Sequence, residues 1–107
     1  MTAKKKDIIR QLFKIGAVKF GEFRLKSGLI SPFYFDLRLI VSYPDLMDKI
    51  AIELCKQIKS LKFNLITGIP YTALPIATLV SSKLNIPLVY IRKEKKIYGT
   101  SQKIEGR

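Results

Sequence analysis

The sequence predicts a small α/β domain: an amphipathic helix, short strands joined by tight turns, a second helix, and a parallel βαβ unit. Three observations predict it. Ile8, Ile9, Leu12, Phe13 and Ile15 recur at helical spacing. From Val18 to Arg38 the pattern changes to short alternating runs. Phe63 to Ile91 then reads strand, helix, strand, which requires a parallel pair with a right-handed crossover.

The first helix is expected from about Lys5 to Ile15, with Thr2 or Asp7 near its start and Gly16 as its stop. The runs Val18-Lys19-Phe20 and Phe23-Arg24-Leu25 are separated by turn signals, Ser27-Gly28 and Ser31-Pro32, from Phe33-Tyr34-Phe35. Ser42-Tyr43-Pro44-Asp45 opens a second helix, since Ser can cap free amides, Pro is tolerated in a first turn, and Asp stands at the capping-box position. Leu46, Ile50, Leu54 and Ile58 carry that helix to about Leu61. A strand over Phe63 to Ile66, a loop over Thr67 to Tyr71, a helix from about Ala73 to Leu84 and an apolar strand over Ile86 to Ile91 complete the pattern. Arg92 to Arg107 is polar and cation-rich, and reads as a mobile loop.

At 107 residues the chain has room for one domain with one core. Its 48% apolar and 26% charged content is that of a soluble globular protein. A formal charge of +12 implies an anionic partner, and nucleic acid, anionic lipid and a phosphorylated small molecule all satisfy that sign. With no His and one Cys, the usual zinc sites and the Ser-His-Asp and Cys-His arrangements are excluded. Cys55 forms no intramolecular disulfide, no signal peptide is recognisable, and no apolar run approaches the roughly 20 residues that span a bilayer. A cytoplasmic protein without membrane contact is expected.

Ligands of open α/β sheets collect beyond the C-terminal ends of the parallel strands. Two segments fall there. One is the turn Thr67-Gly68-Ile69-Pro70-Tyr71-Thr72-Ala73, where amides at a helix N-terminus can receive an anion. The other is Arg92-Lys93-Glu94-Lys95-Lys96-Ile97-Tyr98-Gly99, which from composition alone is a solvated basic loop but leaves the next strand beside the first segment. The triplet Phe33-Tyr34-Phe35 cannot bury all three rings on one strand face, so at least one ring is free to stack on a planar ligand. Lys26, in a tight turn, is by itself a solvated lysine.

Four stretches in one register resemble the orotate phosphoribosyltransferase family, most closely the form fused in bifunctional UMP synthase. They are Phe20-Gly21-Glu22-Phe23-Arg24-Leu25-Lys26-Ser27-Gly28, Ser31-Pro32-Phe33-Tyr34-Phe35-Asp36-Leu37-Arg38, Gly68-Ile69-Pro70-Tyr71-Thr72-Ala73-Leu74-Pro75-Ile76-Ala77-Thr78, and Arg92-Lys93-Glu94 through Lys96 to Tyr98-Gly99. The resemblance implies an incomplete type I phosphoribosyltransferase fold. Residues 1–40 would form a helix and small-strand hood, 41–91 a helix with the βαβ unit, and 92–107 a truncated basic catalytic loop.

It also implies transfer of ribose 5-phosphate from phosphoribosyl pyrophosphate to orotate, with Mg2+ carried mainly by the donor. The same resemblance implies a homodimer whose basic loop acts across the interface, and no nucleic-acid partner. By resemblance, Lys26 lies near the pyrophosphate and Tyr34 with Phe35 beside the orotate ring. Gly68, Pro70, Tyr71, Thr72 and Ala73 form the pyrophosphate-contacting loop, and Arg92, Lys93 and Lys96 are the catalytic cations, with no protein metal ligand assigned.

Thr72 stands where many single-function relatives carry Lys, and Tyr98 where they often carry His. The acidic pair and Thr/Ser/Gly-rich loop that hold the ribose phosphate in this family do not occur before Arg107, so negligible turnover is expected of the 107-residue chain alone. Ile104-Glu105-Gly106-Arg107 also spells a factor Xa recognition site, but the expectation is native sequence truncated within the basic loop.

Two other readings fit part of the pattern. A phosphoribosyltransferase for a purine or another pyrimidine would share the βαβ unit, yet leaves the Lys26 and Phe33-Tyr34-Phe35 hood without a purpose. A basic nucleic-acid-binding module fits the charge, but no reader motif supports it.

Overall fold

The computed structural model describes residues 1–94, 99 and 103–106. They fall into two compact units, Met1–Met47 and Asp48–Arg107. Among the described residues Ala17, Ile40 and Leu46 are buried in the first unit and Ala51, Ala77 and Val80 in the second.

In the first unit, α1 (Ala3–Lys14) begins at Thr2, whose Oγ1 accepts the Lys5 amide at 3.2 Å. It ends in a Schellman motif. The Gly16 amide donates to Phe13 and the Ala17 amide to Leu12, with Gly16 at φ +84°, a conformation that glycine adopts without a Cβ penalty. Strands β1 (Val18–Arg24) and β2 (Ile30–Phe35) form an antiparallel hairpin, with an irregularity between Phe20 and Phe23.

The hairpin loop is Lys26-Ser27-Gly28. Leu25 N–H donates to Leu29 O at 2.8 Å, Gly28 N–H to Leu25 O at 2.9 Å, and Gly28 sits at φ +90°. This is a three-residue loop closed by a left-handed glycine. Phe33 and Phe35 face the α1 side, where with Phe13 and Phe20 they line an apolar hollow of about 290 Å³. The Asp36 amide then ties the end of β2 to Ala17 O at 2.7 Å.

Between β2 and the next helix the chain makes a 3-10 turn over Leu37–Ser42, which the sequence pattern does not announce. It displaces the expected cap by one residue. Ser42 is spent in that turn, and α2 (Pro44–Ile58) opens at Tyr43, whose carbonyl accepts the Met47 amide at 2.9 Å. Pro44 takes the first helical position, where its missing N–H is harmless, and Asp45 complements the helix dipole. The division between the units falls inside α2.

In the second unit, α3 (Leu74–Leu84) ends at Asn85 in the left-handed region, φ 54°. Lys83 of α3 meets Asp48 of α2 at 2.6 Å. The two expected parallel strands are reduced to one bridge between Ile66 and Leu88. Ile66 N–H donates to Pro87 O and Ile66 O accepts from Val89 N–H, both at 2.9 Å, which is the parallel pattern around a single residue. Further on, β3 (Tyr90–Ile91) pairs antiparallel with β4 (Ile104–Glu105), so part of the segment read as loop is strand. No helix among the described residues is long and apolar enough to cross a membrane.

Burial predicts a contrast in stability. Leu46→Ala should lower the unfolding free energy by about 2–5 kcal/mol, whereas Leu61→Ala, at a side chain 62% exposed, should change it by about 0.5 kcal/mol or less. Urea denaturation followed by circular dichroism checks both.

Candidate functional site

The Ile66 to Leu88 bridge sends two segments out at the same end of the parallel pair: Thr67 onward and Val89 onward. Topology alone thus makes them neighbours. The first turns back at once into α3. Gly68 is buried, and a Cβ there would lie 2.9 Å from the Ala73 carbonyl oxygen and 3.0 Å from the Ala77 Cβ. The backbone that Gly68 must approach is therefore the first turn of α3.

Ala73 N–H donates to Ile69 O at 3.3 Å and Leu74 N–H to Tyr71 O at 3.1 Å, so Pro70, Tyr71 and Thr72 ride on the outside of a closed turn. The Pro70–Tyr71 peptide is cis. Ala73 provides no side-chain cap, and no acidic residue occupies the first turn of α3. The positive end of that helix dipole is thus left without a side-chain anion in its first turn.

The second segment brings a cation to this turn. Lys93 Nζ lies 5.2 Å from the centre of the Tyr71 ring, within the range of a cation–π contact. Arg92 behaves differently. Its backbone N–H donates to Lys103 O at 2.7 Å, and its Nη1 reaches Glu105 Oε2 at 3.4 Å. Lys96 and Tyr98 lie outside the described residues.

The remaining predicted residues belong to the first unit. Lys26 is exposed at the hairpin tip. Tyr34 packs against Phe23, ring centres 5.7 Å apart, while Phe35 turns to Phe33 at 5.2 Å. Neighbouring strand residues point to opposite faces, so the aromatic pair taken together in the sequence is divided.

Two residues to which the sequence assigns no role form ion pairs, one in each unit. Glu105 stands opposite Tyr90 in the β3–β4 ladder and pairs with Arg92. Only the long-range ladder brings it there, so no local signal marks it. Asp36 receives Arg38 Nε at 2.8 Å and Nη2 at 3.1 Å. That hydrogen-bonded guanidinium holds the Asp36 carboxyl below its ordinary range, and Asp36 in turn raises Arg38, with a smaller contribution from Tyr34. The spacing Asp-x-Arg is visible in the sequence as a two-residue ion-pair signal. Among the described residues no three His, Cys, Asp or Glu side chains gather into a metal-binding group.

No protein-family model matches the chain. An orotate phosphoribosyltransferase of Caenorhabditis elegans is 47% identical over 102 residues, covering 94% of this chain and 45% of that protein. The uridine 5'-monophosphate synthase of Bos taurus is 46% identical over 102 residues, covering 94% of this chain and 21% of the relative. Its relatives are orotate phosphoribosyltransferases and UMP synthases. The solved structure of Leishmania donovani UMP synthase superposes with a TM-score of 0.81 at 42% identity, covering 94% of this chain and 22% of that one. The fold is that of a type I phosphoribosyltransferase in part, as the four motifs imply. The chain spans 45% of the nematode transferase and about a fifth of the UMP synthases.

Two substitutions probe this geometry. Gly68→Ala should destabilise the fold by about 1–3 kcal/mol, because its methyl meets backbone that cannot yield; thermal denaturation reads the loss. Arg38→Gln should raise the Asp36 titration midpoint toward the ordinary 3.8. Because that carboxyl is lowered by its partner, the stabilisation from the pair is present above the ordinary value and fades as pH falls through the lowered one. Carboxyl carbon NMR resolves the shift.

Proposed function

We propose that the full-length protein transfers ribose 5-phosphate from phosphoribosyl pyrophosphate to orotate, forming orotidine 5'-monophosphate and pyrophosphate for pyrimidine nucleotide synthesis. The observation that carries this reading is the Lys93 ammonium over Tyr71, beside the uncapped start of α3. A cation and a helix N-terminus brought to one turn repel each other unless an anion sits nearby, so the arrangement favours a ligand such as a diphosphate. The names of the relatives supply the reaction.

In the proposed step the bond between the ribose anomeric carbon and pyrophosphate breaks, its electron pair leaving with the diphosphate. The orotate ring nitrogen bonds to the anomeric carbon, and its proton is lost to solvent. Negative charge grows on the leaving group, and a cation already in place stabilises it without reorganisation. Lys93 and the backbone of the Gly68 to Ala73 turn take that role, and Lys26 is assigned to the diphosphate by resemblance alone. Tyr34 and Phe35 are assigned to the orotate ring by the same resemblance. Lys96 is assigned by resemblance alone.

In this reading Mg2+ is carried mainly by the phosphates of the donor. We assign a homodimer in the cytoplasm as part of the same proposal.

The test is orotidine 5'-monophosphate formation by the full-length gene product, followed by loss of orotate absorbance. Lys93→Ala should lower kcat/KM for phosphoribosyl pyrophosphate by about 10- to 100-fold, as expected for one of several groups stabilising the leaving diphosphate. Turnover of adenine or hypoxanthine in place of orotate would sink the assignment and favour a purine enzyme of the same fold.

A further inference from the structure

The turn from Thr67 to Ala73 carries no charged side chain. Among the described residues the cation brought to it is Lys93, whose Nζ stands 5.2 Å from the centre of the Tyr71 ring. What holds this lysine differs from what holds Lys56 and Lys83. Lys56 meets Glu53 at 3.3 Å and Lys83 meets Asp48 at 2.6 Å, whereas no described carboxylate pairs with Lys93. The difference matters at a site for an anion. A carboxylate cancels the charge of the lysine it holds, and an incoming anion has to displace it. The negative face of an aromatic ring attracts an ammonium group and leaves its whole charge in place.

We infer that Tyr71 is a positioning residue for the proposed phosphoribosyl transfer, acting through the face of its ring: it holds Lys93 at an uncharged turn without neutralising it. The inference rests on the reading of Lys93 and the Gly68 turn as the diphosphate site, and it adds what the Tyr71 side chain does there. The ring is a fixed seat because its own root is fixed. Tyr71 O accepts the Leu74 amide at 3.1 Å, and Gly68 lets the turn fold tightly against Ala73 and Ala77. The side chain stands out from the turn, 54% exposed, and no described residue hydrogen-bonds its hydroxyl. The face is thus the part of Tyr71 that has a partner. Its benefit comes before the donor arrives. Lysine carries its charge on a flexible four-carbon stem, and a stem already ordered over a ring gives up less freedom when the ammonium meets a diphosphate.

The full-length gene product carrying Tyr71→Leu tests this. KM for phosphoribosyl pyrophosphate should rise about fivefold, the scale of a cation–π contact at an exposed site, while KM for orotate stays within about twofold. Tyr71→Phe, which keeps the ring face and removes only the hydroxyl, should recover most of the lost affinity. Placed on top of Lys93→Ala, Tyr71→Leu should cost nothing further, because the two side chains act as a unit. An unchanged or lowered donor KM in Tyr71→Leu overturns the inference, as do additive losses in the double variant and equal losses for both substrates, which mark a purely structural role. A Tyr71→Phe variant as impaired as Tyr71→Leu also overturns it, since the hydroxyl would then be the acting group. A second readout does not depend on turnover. In full-length protein with isotope-labelled lysine, the Lys93 Cε protons should be shifted upfield by the ring in wild type and in Tyr71→Phe, and should return to the position of a solvated lysine in Tyr71→Leu. If wild type forms no orotidine monophosphate, the proposed reaction fails; if its Lys93 protons show no ring shift, the seat on Tyr71 fails whatever the reaction.

Discussion

The pairing of Ile66 with Pro87 and Val89 is the constraint on which the second unit depends. Two hydrogen bonds around one residue make the chain before α3 parallel to the chain after it, and a parallel pair can only be joined by a crossover. Everything of chemical interest in that unit follows from this. The turn after Ile66 and the segment after Leu88 must emerge at one end, the helix between them must point its N-terminus there, and Gly68 must lack a side chain so that the return can be tight. A sheet this short has little cooperative strength of its own, so the contacts around it matter more: Ala77 against Gly68, the Lys83 to Asp48 pair, and Gly106 against Leu88.

What the sequence made legible was chemistry expressed over a few residues. Thr2 and Gly16 mark the ends of α1 because capping and left-handed termination involve atoms at most five residues apart. Gly28 marks the hairpin for the same reason, and the divided Phe33-Tyr34-Phe35 triplet follows from the period of a strand. The 3-10 turn over Leu37–Ser42 was hidden because its apolar residues mimic a strand or a helix start, and it consumed the Ser42 that looks like a cap. The reduction of two expected strands to a bridge was hidden too, since apolar runs report burial and β-preference but not whether partners are present along the whole length.

Of the candidate site, the turn and its glycine were visible and the partners were not. Gly68 could be read as a close approach, but its neighbour, the Ala73 carbonyl, belongs to the packing of α3 and has no pattern of its own. Arg92 and Lys93 look equivalent as adjacent cations. The ladder between β3 and β4 separates them, directing one to Glu105 and the other to Tyr71. That distinction depends on a contact across 13 residues, which no local rule can supply.

The first unit shows why charge alone does not locate a site. Five of the cations of this chain, Lys4, Lys5, Lys6, Arg10 and Lys14, lie on α1, more than β3 and its root provide among the described residues. Counting charges would point to that helix. Yet a string of lysines along an exposed helix is solvated by water at little cost, and its favourable interaction with an anion is screened over about 10 Å. Lys93 is placed against an aromatic face beside a helix N-terminus whose first turn holds no acidic residue. Fixed dipoles and a cation held in one position retain their attraction for an anion because they have already given up the freedom that binding would cost them. Such preorganisation, set by the parallel bridge, distinguishes Lys93 from the solvated lysines of α1.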